Sequence, residues 1–312
     1  MKHHPEAAAI ERVTAFFEPR SSRAAILARE LLGRPAPADA AARAAVVADL
    51  LKGLRPDGSV GGAALPTIWR ALELMDLGHS GQEPGTARLI TWVLALAGRP
   101  GAFGEGCHPA RHEQKACEHY LAGFFAPAPA TERLAPITMP CGKTFRAEAA
   151  ARFAVSCLAL RAVLQAGLAG RASVKKHLTS LALLAEVWSD WDGYYAPDLV
   201  ISALHPLAIA PPVHRGATLR TASFIAENQH ADGTWPNADL FHALESLIAA
   251  KTPPARKAVG RAVPALLALQ RKDGSFGPTA QEERALIGLR ALVMAVGGAE
   301  GLRGGDAGGS RD

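Results

Sequence analysis

A chain of 312 residues with 49% hydrophobic and 20% charged residues can bury a large core, which excludes a mostly disordered chain. Lys and Arg number 34 against 29 Asp and Glu, a net charge of +5. The basic residues are scattered rather than gathered on one face among aromatics, so no nucleic-acid partner is expected. Four cysteines do not make a disulfide scaffold, Met1-Lys2-His3-His4-Pro5-Glu6 carries no apolar signal core, and no run reaches the ~18 apolar residues of a membrane span. The expectation is a cytoplasmic chain with reduced thiols and no transmembrane segment.

In chain order, helix patterns run over about 6–17 and 21–32, then over 65–77, 109–124, 146–165, 197–207, 238–250 and 281–296. Ala and Leu recur in them at i, i+3, i+4 and i+7, whereas alternating Val/Ile/Thr runs are absent, so the fold class is all-α. Each of the last six patterns follows a glycine turn: Asp57-Gly58-Ser59, Gly101-Ala102-Phe103-Gly104, Cys141-Gly142-Lys143, Asp192-Gly193-Tyr194, Asp232-Gly233-Thr234 and Asp273-Gly274-Ser275. These glycines are spaced by 43, 41, 51, 40 and 41 residues, which is a repeat architecture. The unit is a helix, a tight turn and a second helix. Asp-Gly suits the turn because Gly accepts φ > 0 and Asp bonds its own nearby backbone. Stacked pairs bury both apolar faces, as a solenoid or as a closed ring. Pro127, Pro129, Pro136 and Pro140 keep the stretch before Cys141 from holding a full helix, so either this unit lacks its outer helix or the patterns over 6–17 and 21–32 cover the gap. The expected division is a helical extension over 1–36, the repeat domain over 37–297 and a Gly-rich disordered tail over 298–312.

Arg261-Ala262, Leu266, Gln270, Gly274 and Phe276 follow the spacing of the QW repeat of squalene and hopene cyclases, with Phe in place of Trp, and Gln229, Gly233 and Trp235 match its second half. The chain therefore resembles the terpenoid cyclase and protein prenyltransferase α/α-toroid superfamily over roughly 37–297. The resemblance implies a barrel of five to six helix hairpins, with the helices after each turn lining the interior. It also implies a small apolar or isoprenoid-like ligand, with contact to a membrane surface left open. The family's catalytic motifs do not carry over. The nearest match to the Asp-x-Asp-Asp acid of class II cyclases is Asp190-Trp191-Asp192-Gly193, whose Asp192 reads as a turn residue. No Asp-x-Cys zinc pair is present, and Cys141-Gly142-Lys143-Thr144 lacks the Gln of a thioester.

Polar chemistry is densest between Cys107 and His119. Cys107, His108 and His112, with Cys141 from the next turn, have the sulfur and nitrogen ligands that suit Zn²⁺, so the cofactor expectation is Zn²⁺ or none. Without metal, a thiol near a helix start and a neighbouring imidazole allow nucleophilic or acid/base work. Asp239 and His242, with Glu245, form a second cluster in which the Asp could orient the imidazole. Catalytic candidates are thus His112, Asp239, His242 and Cys141. Arg70, Arg111, Arg146, Trp235 and Tyr195 are candidates for holding substrate, the arginines beside a rim of helix N-termini that favours anions. His205 and His214 sit beside or near prolines and read as loop residues. Two function classes result: an enzyme acting on an apolar, isoprenoid-like substrate in a central cavity with polar or Zn-assisted chemistry at its rim, and a non-catalytic toroid that binds a small apolar ligand or a protein.

Overall fold

The computed structural model describes residues 5–96, 134–186, 188–193 and 197–304. Among them are twelve α-helices: α1 (Pro5–Phe17), α2 (Arg23–Leu31), α3 (Asp39–Leu51), α4 (Ala64–Asp76), α5 (Pro84–Ala95), α6 (Glu148–Gln165), α7 (Ala172–Leu184), α8 (Asp198–Ala208), α9 (Arg215–Glu227), α10 (Leu240–Ala250), α11 (Pro253–Leu269) and α12 (Gln281–Gly304). A small antiparallel hairpin, β1 (Ile137–Thr138) and β2 (Thr144–Phe145), precedes α6. Even-numbered helices form an inner ring. Within it α12 packs on α2 and α10, α8 on α10 and α6, and α6 on α4. Arg23 of α2 closes the ring by pairing with Glu73 and Asp76 of α4 at 3.6 and 2.6 Å. Odd-numbered helices lie outside, and α1 packs on α11 and α12. The architecture is an α/α toroid.

The turns explain why neighbouring pairs stack in register. Gly58, Gly233 and Gly274 have φ of 88°, 87° and 88°. A Cβ on each would lie 2.6, 2.3 and 2.1 Å from the backbone oxygens of Arg88, Arg261 and Arg12 respectively. Each turn therefore rests directly on the next outer helix, a seat that only glycine fits. Before the glycine, Asp57, Asp232 and Asp273 accept from the backbone N–H two residues on (2.9, 2.9 and 3.0 Å) and from the hydroxyl of that residue (2.7 Å each). After it, Trp235 and Phe276 turn inward and are buried, and the Trp235 indole donates to the Ile225 carbonyl at 2.8 Å. Burying a side chain of this size contributes about 1.5–3 kcal/mol. Gln229 Nε2 bonds the carbonyls of Gly233 and Ala258, and Gln270 Nε2 that of Ala9, at 2.9–3.0 Å.

Two expectations change. Within the 1–36 segment, α1 receives the Gly274 turn and α2 completes the inner ring, so these helices belong to the ring rather than to an extension. And α12 continues to Gly304, past the boundary expected at Gly297. Among the described residues α6 packs on α4, with α5 against both; the Gly101 turn and the helix expected over 109–124 lie outside the described residues.

Gly274→Ala is expected to destabilise the protein by about 1–3 kcal/mol or more, because it combines a strained φ with a backbone clash. Gly260→Ala lies inside α11, meets nothing within 4 Å, and is expected to be neutral or stabilising by up to ~1 kcal/mol. Urea denaturation of the two variants checks the contrast. The carboxyls of Asp57, Asp232 and Asp273 are held below the usual range, chiefly by their bonds to Ser59, Thr234 and Ser275. Their contribution is present above the unfolded value near ~4 and is lost as pH falls through the folded one. Asp273→Asn should therefore reduce the acid sensitivity of stability below about pH 4.

Candidate functional site: a chamber along the ring axis

The ring has two different ends. At the end where the inner helices begin, the hairpin lies across the axis as a plug. The Cys141 carbonyl accepts from Arg284 Nε at 2.9 Å, and Lys143 pairs with Asp198 at 2.7 Å. Phe145 meets the His242 ring edge-on at 5.6 Å. Glu148, in the first turn of α6, anchors the hairpin's approach by accepting from the N–H groups of Leu134 and Ala135 at 2.8 Å. The N-terminal rim is thus filled by protein groups.

Two cavities follow along the axis. Beneath the hairpin is a pocket of about 40 Å³ bordered by Cys141, Ser202 and His242, with room for a water molecule or two. Towards the other end a chamber of about 660 Å³ lies among Leu31, Ile248, Ile287, Val293 and Met294. Arg161, His205 and Glu245 border both cavities, and Arg161 Nη1 pairs with Glu245 at 2.6 Å. Arg290 and Asp76 complete the chamber's charged wall, with Lys251 and Arg256 at its exposed edge. The chamber thus combines aliphatic surface with a few fixed charges, the make-up of a small-molecule site.

The predicted residues divide into three groups. Cys107, His108, Arg111, His112 and Tyr195 lie outside the described residues, and among the described residues no group of three or more His, Cys, Asp or Glu is placed to hold a metal ion. Cys141, Asp239 and His242 do converge under the hairpin, with roles different from those expected. Burial raises the Cys141 thiol far above its usual value, so it stays protonated rather than activated. Asp239 caps α10 by accepting from the backbone N–H groups of Phe241 and His242 at 3.0 Å, and its other oxygen accepts from Arg284 at 3.1 Å. It does not orient the His242 ring, whose Nδ1 is buried without a partner and whose Nε2 faces the Ser202 hydroxyl at 3.4 Å. Arg70, Arg146 and Trp235 border neither cavity. Arg70 donates to the Leu50 carbonyl at the end of α3, Arg146 is exposed, and the Trp235 indole is committed to the α9 backbone.

Sequence reasoning missed His205, Arg161 and Arg290. His205 is no loop residue: it stands in α8, which runs through Pro206 to Ala208. The signal available was the i, i+4 spacing of Asp198, Ser202 and Pro206, which marks the inward face one residue from His205. Asp190 and Asp192, by contrast, are exposed, and Asp190 accepts from the Asp192 N–H at 3.0 Å within the turn, outside the chamber.

Burial holds the imidazoles of His205 and His242 below the usual histidine range, so both are neutral in the fold. An unfolded chain protonates them near pH ~6.5. Their contribution to stability is therefore present above that pH and is lost as pH falls below it. Burial pushes Glu73 and Glu283 the other way, above the usual carboxylate range, so a variant is needed to isolate the histidines. The His205→Gln/His242→Gln protein should show a flatter loss of stability between about pH 7.5 and 5.5 than the wild type, measured by urea denaturation.

Neither a protein-family model nor a curated protein matches this sequence. Solved structures do. A complex of the type II terpene cyclase MstE from Scytonema with geranylgeranyl dihydroxybenzoate superposes with a TM-score of 0.57 at 15% identity, covering 94% of this chain and 98% of that one. A second MstE complex, with merosterolic acid A, gives 0.56 at 14% identity over 94% and 97%. A protein from Actinoplanes gives 0.54 at 17% over 93% and 99%. The chain thus shares, over nearly its whole length, the all-helical fold of the type II terpene cyclase MstE.

Proposed function

We propose that this protein is a terpenoid-cyclase-like enzyme that acts on an apolar, isoprenoid-type substrate held in the axial chamber. The observation that carries the reading is the chamber itself: about 660 Å³ of mixed aliphatic and charged surface, bordered by inner-ring helices and stoppered at one end by the hairpin. It lies within the usual range of small-molecule sites, about 300–1,000 Å³. The likeness to MstE supports the substrate class, since complexes of that enzyme hold geranylgeranyl dihydroxybenzoate and merosterolic acid A.

Chemistry is assigned to the wall that the two cavities share. The Glu245 carboxylate, held by Arg161, supplies a fixed negative charge that stabilises positive charge developing on a substrate. His205, neutral and facing the chamber, is placed to take up the proton that a cyclised cation releases, in exchange for the one that an acid first adds to the terminal double bond, so that the mass is unchanged. A second reading, a non-catalytic toroid that stores or carries an apolar ligand, is favoured by one observation: the Asp190–Asp192 segment lies outside the chamber, so no Asp-x-Asp-Asp acid faces it.

Incubation with linear C15, C20 and C30 isoprenoids, read by gas chromatography and mass spectrometry, separates the two readings. The enzyme reading expects a product of unchanged mass with fewer double bonds, a turnover about 10²-fold or more lower in His205→Ala, and no effect of Asp192→Asn. Tight binding without conversion of any substrate would replace it with the second reading. Loss of activity in Asp192→Asn but not in His205→Ala would refute the assignment of the chemistry to the chamber.

A further inference from the structure

Two polar atoms of buried side chains border the small pocket beneath the hairpin without a hydrogen-bond partner among the described residues: Nδ1 of His242 and Nε of Arg161. Each of these side chains belongs to a residue only 7% exposed. A polar atom left unpaired at that depth is costly. The tautomer of His242 follows from its other nitrogen. Ser202 has one hydroxyl proton and donates it to the Asp198 carbonyl at 2.7 Å. Towards Nε2 of His242, at 3.4 Å, the Ser202 oxygen can then only accept. Nε2 therefore carries the ring proton, and Nδ1 is a bare acceptor. Arg161 Nε is a donor, its neighbour Nη1 being committed to Glu245. Between this donor and this acceptor lies a space of about 40 Å³, large enough for a water molecule.

We infer that the pocket holds a water that accepts from Arg161 Nε and donates to His242 Nδ1, and that through this water His242 takes over the proton His205 receives from the chamber. The second half rests on the reading of the chamber as the substrate site. His205 borders the pocket as well as the chamber. On the chamber side, a ring nitrogen takes the proton from the carbon beside the cationic centre, and the C–H electron pair becomes the new double bond. On the pocket side, the ring N–H passes its proton to the water, which passes one of its own to His242 Nδ1. His205 ends neutral, the water is unchanged and His242 holds the positive charge. The charges around the two rings set that direction. Arg161 of α6 and Arg290 of α12 oppose positive charge on His205. Glu245 and Asp239 of α10 and Asp198 of α8 favour it on His242, with Lys143 of the hairpin against them and Arg284 of α12 held by Asp239. His242 touches no substrate and acts through His205.

The test combines a high-resolution crystal structure with ¹⁵N NMR of the full-length protein carrying labelled histidine. The pocket should contain a water within about 2.7–3.2 Å of both His242 Nδ1 and Arg161 Nε. At neutral pH His242 should be the Nε2–H tautomer, and Ser202→Ala, which removes the acceptor, should release it to a mixture of the two. On acidification His242 should protonate before His205. His242→Gln, which can hold the water but not the proton, should lower isoprenoid turnover about 10-fold at unchanged KM. In a His205→Ala background the same substitution should have no further effect, whereas a merely structural role would lower turnover in both backgrounds. An empty pocket, a water that misses either atom, an Nδ1–H tautomer, His205 protonating first, neither imidazole protonating before the fold is lost, or an additive double variant would overturn the inference. Absence of turnover with every isoprenoid would remove the enzyme reading, and the water, the tautomer and the order of protonation would still decide the inference. The two failures are thereby distinguishable.

Discussion

The close seat of a turn glycine on the backbone of the next outer helix is the contact on which the rest of this structure depends. At Gly58, Gly233 and Gly274 the approach leaves no room for a Cβ, so the helix pairs joined at these three turns are fixed to their successors in position as well as in rotation. Repeating that step brings the last turn round to the first helix, where Gly274 rests on Arg12 and Gln270 holds both the Arg12 side chain at 2.6 Å and the Ala9 carbonyl at 3.0 Å. Closure makes the six inner helices among the described residues parallel staves, and parallel staves leave a space along their axis. The chamber is thus a consequence of how the turns stack.

That space is finished differently at its two ends. The inner helices bring their N-termini, and hence their partial positive charge, to one rim. The hairpin meets that rim with a backbone carbonyl and a lysine, and the intervening acids balance it: Arg284 spans Cys141 and Asp239, and Lys143 spans to Asp198. A toroid that bound an anion at its N-terminal rim would leave those groups free. Here they hold the plug, and the larger cavity lies towards the opposite end, where Arg161, Glu245, His205 and Arg290 stand among aliphatic side chains. Its lining is poor in aromatic faces and carries several fixed charges.

The parts of this arrangement that were legible in the sequence are those governed by local chemistry. The Asp-Gly turns announce themselves because a left-handed residue and its hydrogen-bonding neighbour are needed within three positions, and the helices that follow begin within about two residues of where Ala and Leu periodicity places them. Non-local features were not legible. The prolines before Cys141 exclude a helix, yet nothing in 134–145 says that it will lie across the ring. Pro206 makes His205 look like a loop residue, although the helix runs on past the proline to Ala208. Arg290 carries no motif at all: its place on the chamber wall arises only when closure brings α2, α6, α8 and α10 around it. Asp239 and His242 were noticed for their spacing, but the spacing served a helix cap.

Photoaffinity labelling tests the central claim, that the axial chamber is where this protein holds its ligand, most directly. A geranylgeranyl probe bearing a diazirine near its chain end, irradiated with the folded protein and mapped by peptide mass spectrometry, should give adducts concentrated on Ile248, Ile287, Val293 and Met294, displaced by excess unlabelled isoprenoid. Adducts confined to the outer helices α3, α7 or α9, or labelling that unlabelled isoprenoid does not displace, would contradict the account.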